Sequence, residues 1–285
     1  MAVIIDGTAL SKKVKEQVRL ETEVLVQKNN ITPHLVVILV GHNPASESYV
    51  RGKERACIKT GILSTVIKRE ENVTNQEMLD LINELNTDNS VHGILLQLPI
   101  PSHLDSELII SSISPRKDVD GFTPVNVAKL ANGNGELIPC TPKGIMKMLD
   151  EYQIDITGKQ CTVLGRSQIV GKPIANLLLK ANGTVTICHS KTINLSAVAS
   201  MADILVVAIG KPKMVDDTYV KSGAVVIDVG ISKVDDILCG DVDFEKASKK
   251  AGFITPVPGG VGPMTIACLL ENTLLCFKKI VGESK

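Results

Sequence analysis

The chain has 285 residues, enough for one large domain or two modest ones, each with its own core. Basic and acidic residues balance at 31 each, so the molecule as a whole offers no electrostatic attraction to nucleic acid or to an anionic membrane. Hydrophobic residues make up 44% and aromatics 2%, so the core must be mostly aliphatic.

The opening "MAVIIDGTAL" carries Asp6 directly after a short apolar run and has no basic start. It does not read as a signal peptide, and no window reaches the ~18 apolar residues of a membrane span. A cytoplasmic protein is expected. A helical pattern over 8–29 leads into a short β-branched run at 35–41, "LVVILVG", which reads as a strand. The next helical pattern, 45–61, contains "SESYVRGKERA". Tyr49 and Lys53 are four residues apart there, so a helix sets both side chains on one face, while Arg51 and Arg55 fall off it. A strand at 64–70, a helix at 74–87 and a strand at 92–98 follow. Gln97 ends that last strand, at the edge where open α/β sheets bind ligands. Strand alternating with helix predicts a parallel sheet with covering helices.

Residues 115–141 break the rhythm. They are rich in Pro, Gly, Asn and Asp, show nothing periodic beyond a short "VAKL", and read as the passage between two domains, lining a cleft. Their "DVDG" offers two carboxylates, Asp118 and Asp120. Either could accept a pair of ligand N–H groups, and an Asx-type turn before Gly121 is the plainer use of both.

A second α/β run has strands at 159–165, 183–189, 202–210 and 223–230, and a helix at 169–183 that Gly183 would terminate. "VLGRSQIVGKP" follows a strand and opens that helix. Gly165 would make the turn, Gly171 would let helix approach sheet, and the helix N-terminus would offer N–H groups to a phosphate. Ser167 stands where a dinucleotide fingerprint has its middle glycine. The following strand ends "CHSKT", without the carboxylate that grips a ribose 2′-hydroxyl in NAD sites. Arg166 supplies a planar donor fork and Ser190 a hydroxyl, a set that favours the 2′-phosphate of NADP. A last helical pattern, 262–280, could pack back on the first domain. The 7 cysteines lack C-x-x-C spacing and read as small buried residues in a reducing compartment; the 5 histidines show no ligand spacing, and no metal site is expected.

Taken together, several segments resemble one family, in its order and over most of the chain. They are "SYVRGKERA" (48–56), "GILLQLPIP" (93–101), "SPRKDVDGF" (114–122), "IPCTPKG" (138–144), "GRSQIVGKP" (165–173), "CHSKT" (188–192), "DVGI" (228–231) and the highly specific "TPVPGGVGPMT" (255–265). The family is that of the bifunctional methylenetetrahydrofolate dehydrogenase/methenyltetrahydrofolate cyclohydrolases, called FolD in bacteria. The resemblance implies an α/β protein with two domains around a cleft. One is an N-terminal three-layer α/β domain for folate, residues 1–120 with the C-terminal helix 265–285. The other is a Rossmann-type NADP-binding domain, residues 121–264. It also implies hydride transfer from 5,10-methylenetetrahydrofolate to NADP, hydrolysis of the methenyl product to 10-formyltetrahydrofolate, and a homodimer.

Residue by residue, Lys53 matches the family's catalytic lysine, Gln97 its partner and Tyr49 the tyrosine near the folate. The family match selects Asp120 as the group that holds the pterin. Leu96 and Leu98 flank Gln97 on the folate side. Pro258, Gly259, Gly260, Val261, Gly262, Pro263 and Met264 match the loop that closes over folate and cofactor. Thr141, Gly165, Arg166, Ser167, Gly171, Ser190 and Ile231 match cofactor positions. The hydrolytic step needs a group that accepts and returns a proton near neutrality, and lysine titrates near 10.4 in water. Burial and a cationic substrate both push that value down, and a neutral Gln97 partner does not oppose them. An amino-acid- or shikimate-type dehydrogenase, or a module that only senses NADP, would fit the second half but leaves "GILLQLPIP" followed by "DVDG" unexplained.

Overall fold

The computed structural model describes residues 2–282. A two-residue strand, β1 (Val3–Ile4), precedes α1 (Gly7–Asn29), β2 (His34–Val40), α2 (Pro44–Thr60), β3 (Leu63–Arg69), α3 (Asn75–Thr87) and β4 (Gly93–Leu96). β2 lies between β3 and β4 in a three-stranded parallel sheet. Its "LVVILV" is buried throughout, as a central parallel strand covered on both faces requires. Local signals fix the helix ends. Asn43 accepts the Ser46 N–H at 3.0 Å ahead of Pro44, and Gly61, at φ +74°, closes α2. Thr74 and Glu77 form a capping box on α3. Met78, Leu81 and Ile82 of α3 then pack on Val36, Ile38 and Ile94 of the sheet.

The stretch expected to be aperiodic, 115–141, carries α5 (Pro124–Ala131), which contains "VAKL"; a short α4 (Ser106–Ser111) precedes it, and α6 (Cys140–Glu151) begins at its end. The sequence hides α6 because Pro142 and Gly144 lie in its first turns. Pro142 is tolerated there. Gly144 is needed, since a Cβ at that position would stand 2.9 Å from the Met264 Cβ.

The rest of the chain contributes β5 (Gln160–Leu164), α7 (Gly171–Lys180), β6 (Thr184–Cys188), α8 (Leu195–Ala199), β7 (Ile204–Val207) and β8 (Val225–Asp228). A hairpin of β9 (Ser232–Val234) and β10 (Ile237–Cys239), then α9 (Phe244–Ala247), β11 (Phe253–Ile254) and α10 (Val261–Val281), complete it. Six parallel strands run in the order β1-β11-β8-β7-β5-β6. From β5 the chain goes outward to β6 and then back to β7, so the topological switch lies at the C-terminal end of β5. The expected terminator Gly183 has a different role. Asn182 takes the left-handed conformation after α7, at φ +64°, whereas a Cβ on Gly183 would meet Cys161 Sγ at 2.9 Å.

Two compact units result. One comprises the segment ending at Ser11, Leu130–Asn134 and Thr141–Thr265, and holds the six-stranded sheet. The other comprises Lys12–Lys129, Gly135–Cys140 and the segment from Ile266 onward, with the three-stranded sheet. The first residues therefore group with the larger sheet, through β1, rather than with 12–120. Among the described residues, no helix is long and apolar enough to cross a membrane.

Candidate active site

In the three-stranded unit, α2 carries Lys53 on its partly buried face, and the lysine Nζ donates a 2.9 Å hydrogen bond to Gln97 Oε1. Gln97 is nearly buried, at 9% exposure. Both ends of its side-chain amide and its backbone are committed: Nε2 donates to the Leu98 carbonyl at 2.6 Å, and its own N–H donates to Ile38 at 2.9 Å across the sheet edge. The amide oxygen is thereby left to face the lysine. A neutral acceptor orients the amine without the negative charge that would hold its proton more tightly. Tyr49, one turn before Lys53, is 43% exposed, and partial burial raises its phenol above the usual range. Leu96 is buried, and Leu98 packs partly buried against the same core.

The two carboxylates of "DVDG" differ in what they hold. Asp118 is 2% exposed and accepts from Phe122 N–H (3.2 Å), Thr123 N–H (2.8 Å), the Thr123 hydroxyl (2.7 Å) and Asn126 Nδ2 (2.8 Å). Its acceptor capacity is spent on the turn. Among the described residues, Asp120 has only a long contact from the Cys140 thiol, at 3.7 Å. Removal from water raises its carboxyl to about 6, with the Lys53 ammonium pulling down and Asp118 pushing up. The loop is anchored by Asn272 of α10, whose Nδ2 donates to the Val119 and Ile138 carbonyls at 2.8 Å each.

The raised Asp120 carboxyl couples stability to pH. Its folded value lies above the ordinary 3.8, so folding favours the protonated form, and that contribution is lost as pH rises through about 6. Asp120→Asn should therefore stabilise the ligand-free protein above pH 6, by about 1–2 kcal/mol after solvent screening. The gain should vanish near pH 4, and paired thermal melts across that range measure it.

In the six-stranded unit, Gly165 turns at φ +112° directly after β5, and a Cβ there would stand 2.1 Å from the Ala208 carbonyl oxygen. Gly171, at the first turn of α7, would place a Cβ 2.3 Å from the Gly165 carbonyl. Ser167 Oγ accepts from the Val170 and Gly171 N–H groups at 3.2 and 3.3 Å, so its hydroxyl holds the turn that leads into α7. Gly165, Arg166, His189, Ser190, Ala208 and Ile209 line one pocket at the C-terminal ends of β5, β6 and β7. Arg166 and Ser190 are brought together there, and the residues ending β6, Cys188 through Thr192, include no carboxylate. The chemistry of this set fits a phosphorylated ribose. His189, which the histidine spacing does not single out, also lines the pocket; its place after β6, beside Ser190, is the signal that finds it.

Ile231 follows β8, 45% exposed, and its Cδ1 lies near Gly262. Thr141 and Thr265 share a 2.9 Å hydroxyl–hydroxyl hydrogen bond. Within the 258–264 loop, Gly259 at φ +105° accepts from Thr8 N–H at 2.9 Å, and Gly260 is packed so closely that a Cβ would meet the Pro256 carbonyl at 2.6 Å. Val261 and Met264 are buried at 4% and 0%, so their side chains serve the core, and what the loop offers a ligand at those positions is backbone. Among the described residues no His, Cys, Asp or Glu cluster could hold a metal ion.

Two family models match. The catalytic-domain model of the tetrahydrofolate dehydrogenase/cyclohydrolases covers residues 5–120, and their NAD(P)-binding-domain model covers 139–281. The chain is 55% identical over 278 residues to the bifunctional protein FolD of Acetivibrio thermocellus, covering 97% of both chains. Among solved structures, the bifunctional FolD dehydrogenase/cyclohydrolase of Campylobacter jejuni superposes with a TM-score of 0.96 at 49% identity, covering 98% of this chain and 99% of that one. The FolD of Trypanosoma brucei, solved with NADP cofactor and an inhibitor, gives 0.95 at 38% identity over 98% of each chain.

Proposed function

The chain belongs to the tetrahydrofolate dehydrogenase/cyclohydrolase family, and from that premise we propose that Lys53 is the proton-transfer group of a two-step folate enzyme. The protein oxidises 5,10-methylenetetrahydrofolate with NADP and hydrolyses the methenyl product to 10-formyltetrahydrofolate. The hydrogen bond from Lys53 Nζ to Gln97 Oε1, at 2.9 Å, carries the assignment of the lysine.

Bound NADP supplies the hydride acceptor for the first step, and the substrate's own nitrogens stabilise the cation that forms. The protein's part in that step is alignment. Gly165, Gly171 and the N-terminus of α7 receive the cofactor's phosphates, while Arg166 and Ser190 hold its 2′-phosphate. Ser167 supports the loop by holding the turn before α7. Thr141, Ile231 and the 258–264 loop complete the binding surfaces. Asp120 accepts the paired N–H donors of the pterin, and Tyr49 lies along the folate beside Leu96 and Leu98.

In the second step water adds to the methenyl carbon. Lys53 takes the proton that the water releases and returns it to the ring nitrogen as the C–N bond opens. The remaining hydroxyl proton leaves to solvent, so methenyl cation plus water gives formyl product plus one proton. Gln97 keeps the amine aimed throughout.

The enzyme also acts, in this reading, as a cytoplasmic homodimer. The seven free cysteines, all buried, suit a reducing compartment, and β3 leaves one edge of its sheet unpaired with Leu63 exposed. Light scattering of the purified protein gives the assembly state directly.

Parallel assays with NADP and NAD, following reduced cofactor and formyl product together, test the function. Both products should form with NADP. Arg166→Ala should raise the KM for NADP about 10–100-fold and leave the KM for NAD nearly unchanged. Equal loss with both cofactors would remove Arg166 from the 2′-phosphate.

A further inference from the structure

Two buried carboxylates of the six-stranded unit have no place in the chemistry above. Asp241, after β10, is 0% exposed, and its Oδ2 accepts the Ile209 and Gly210 N–H groups at 2.7 and 2.8 Å. Asp228, the last residue of β8, is 3% exposed and accepts from Gly230, Asp241 and Val242 N–H at 3.0, 3.0 and 2.9 Å. The Asp241 backbone extends the link, since its carbonyl accepts Val215 N–H at 3.0 Å.

Space around the pair is closed by glycines. A Cβ on Gly230 would stand 2.4 Å from Asp241 Cγ, and one on Gly240 would stand 1.8 Å from Asp228 Oδ2. The arrangement is costly to the fold. Asp241 Oδ1 is buried without a hydrogen-bond partner, and burial together with Asp241 raises the Asp228 carboxyl to about 6 even against three backbone donors.

What the pair joins is specific. Ile209 and Gly210 belong to the loop after β7, where Ile209, Lys211 and Met214 line the pocket that holds Arg166 and Ser190. Gly230 immediately precedes Ile231 on the loop after β8. Both loops stand at the C-terminal sheet edge, and each is fastened by its backbone N–H groups to one of the two linked carboxylates.

We propose that Asp241, acting with Asp228, is a positioning residue for the cofactor: it fixes the loops after β7 and β8 in one arrangement and so sets NADP affinity without contacting NADP. The inference rests on the reading of this unit as the NADP site.

Full-length Asp241→Ala and Asp241→Asn would be compared with wild type by calorimetric NADP titration, by the KM for NADP against the KM for methylenetetrahydrofolate, and by cyclohydrolase turnover on methenyltetrahydrofolate without NADP. In Asp241→Ala two buried N–H groups lose their acceptor, and NADP binding should weaken about tenfold or more. The folate KM and the cofactor-independent turnover should stay within about twofold of wild type, since loops are displaced locally. Asn keeps a carbonyl oxygen for both N–H groups and should recover NADP affinity to within about threefold of wild type. Wild-type NADP affinity in a folded Asp241→Ala would overturn the proposal, as would equal losses in the Ala and Asn variants. Should Asp241→Ala not fold, Gly230→Ala, which drives a methyl group against the Asp241 carboxylate, must show the same NADP-selective loss; unchanged NADP binding there overturns it too. A wild-type protein that bound no NADP would overturn the cofactor assignment itself, a failure visible before any variant is made.

Discussion

Lys53→Met should lower cyclohydrolase turnover by about 10²–10⁴, the range over which a positioned proton-transfer group acts, while dehydrogenase activity stays measurable. The split follows from the two steps. Hydride transfer needs alignment and no protein acid or base; water addition and C–N cleavage need a proton taken up and given back. Lys53→Arg sharpens the test, because a guanidinium keeps the positive charge and hydrogen-bond donors but does not deprotonate. It should fail at hydrolysis nearly as completely as Met. Methenyltetrahydrofolate hydrolysis followed spectroscopically, beside NADPH formation, separates the outcomes, and a Met variant that hydrolysed at the wild-type rate would strip Lys53 of its role.

Asp120→Ala should raise the KM for methylenetetrahydrofolate about 100-fold, as expected when two hydrogen bonds to a charged acceptor are lost. The pH dependence has a definite sign. With the carboxyl at about 6 in the free protein, folate affinity should fall as pH drops below 6, because the protonated group no longer accepts two donors. The Ala variant should show no such fall. Asp118→Ala is the contrasting substitution. It leaves Thr123 and Asn126 donors without their acceptor and should destabilise the loop outright. Equilibrium folate binding across pH 5–8 with both variants tests these statements together.

That Tyr49, Lys53 and Gln97 could reach one cleft was legible from two periodicities; the pairing of Lys53 with Gln97 came from the family match, and the structure shows its hydrogen bond. Helical spacing places Tyr49 and Lys53 on one face, and a strand ending at "LLQLP" leaves Gln97 at the sheet edge. The choice between Asp118 and Asp120 was not legible from the residues, since both lie in one loop and differ only in how many donors the surrounding chain brings to each. The family match selects Asp120, and the unspent acceptors of Asp120 in the structure support the same residue. Short elements escaped for another reason. β1 and β11 have two residues each, too few to display a period, and exist through their neighbours in the sheet. α6 was masked by Pro142 and Gly144, residues that break helices in general but occupy a first turn and a close approach here. Asp241 left no mark at all: its importance lies in backbone N–H groups that sequence does not encode.

The partnership of β1 with β11 has a consequence for how the protein is made. Val3 and Ile4 are made roughly 250 residues before the strand they hydrogen-bond to, Phe253–Ile254. At ordinary elongation rates the wait is roughly 12–50 s, far longer than local helices and hairpins need to form. Through that interval the edge of the larger sheet stays open and an apolar "AVII" segment is unpaired. A holdase gripping the Val3–Ile4 segment would thus compete with the closing of the cofactor-binding sheet, and the three-stranded unit must wait as well, because its own segment from Ile266 onward is made later still.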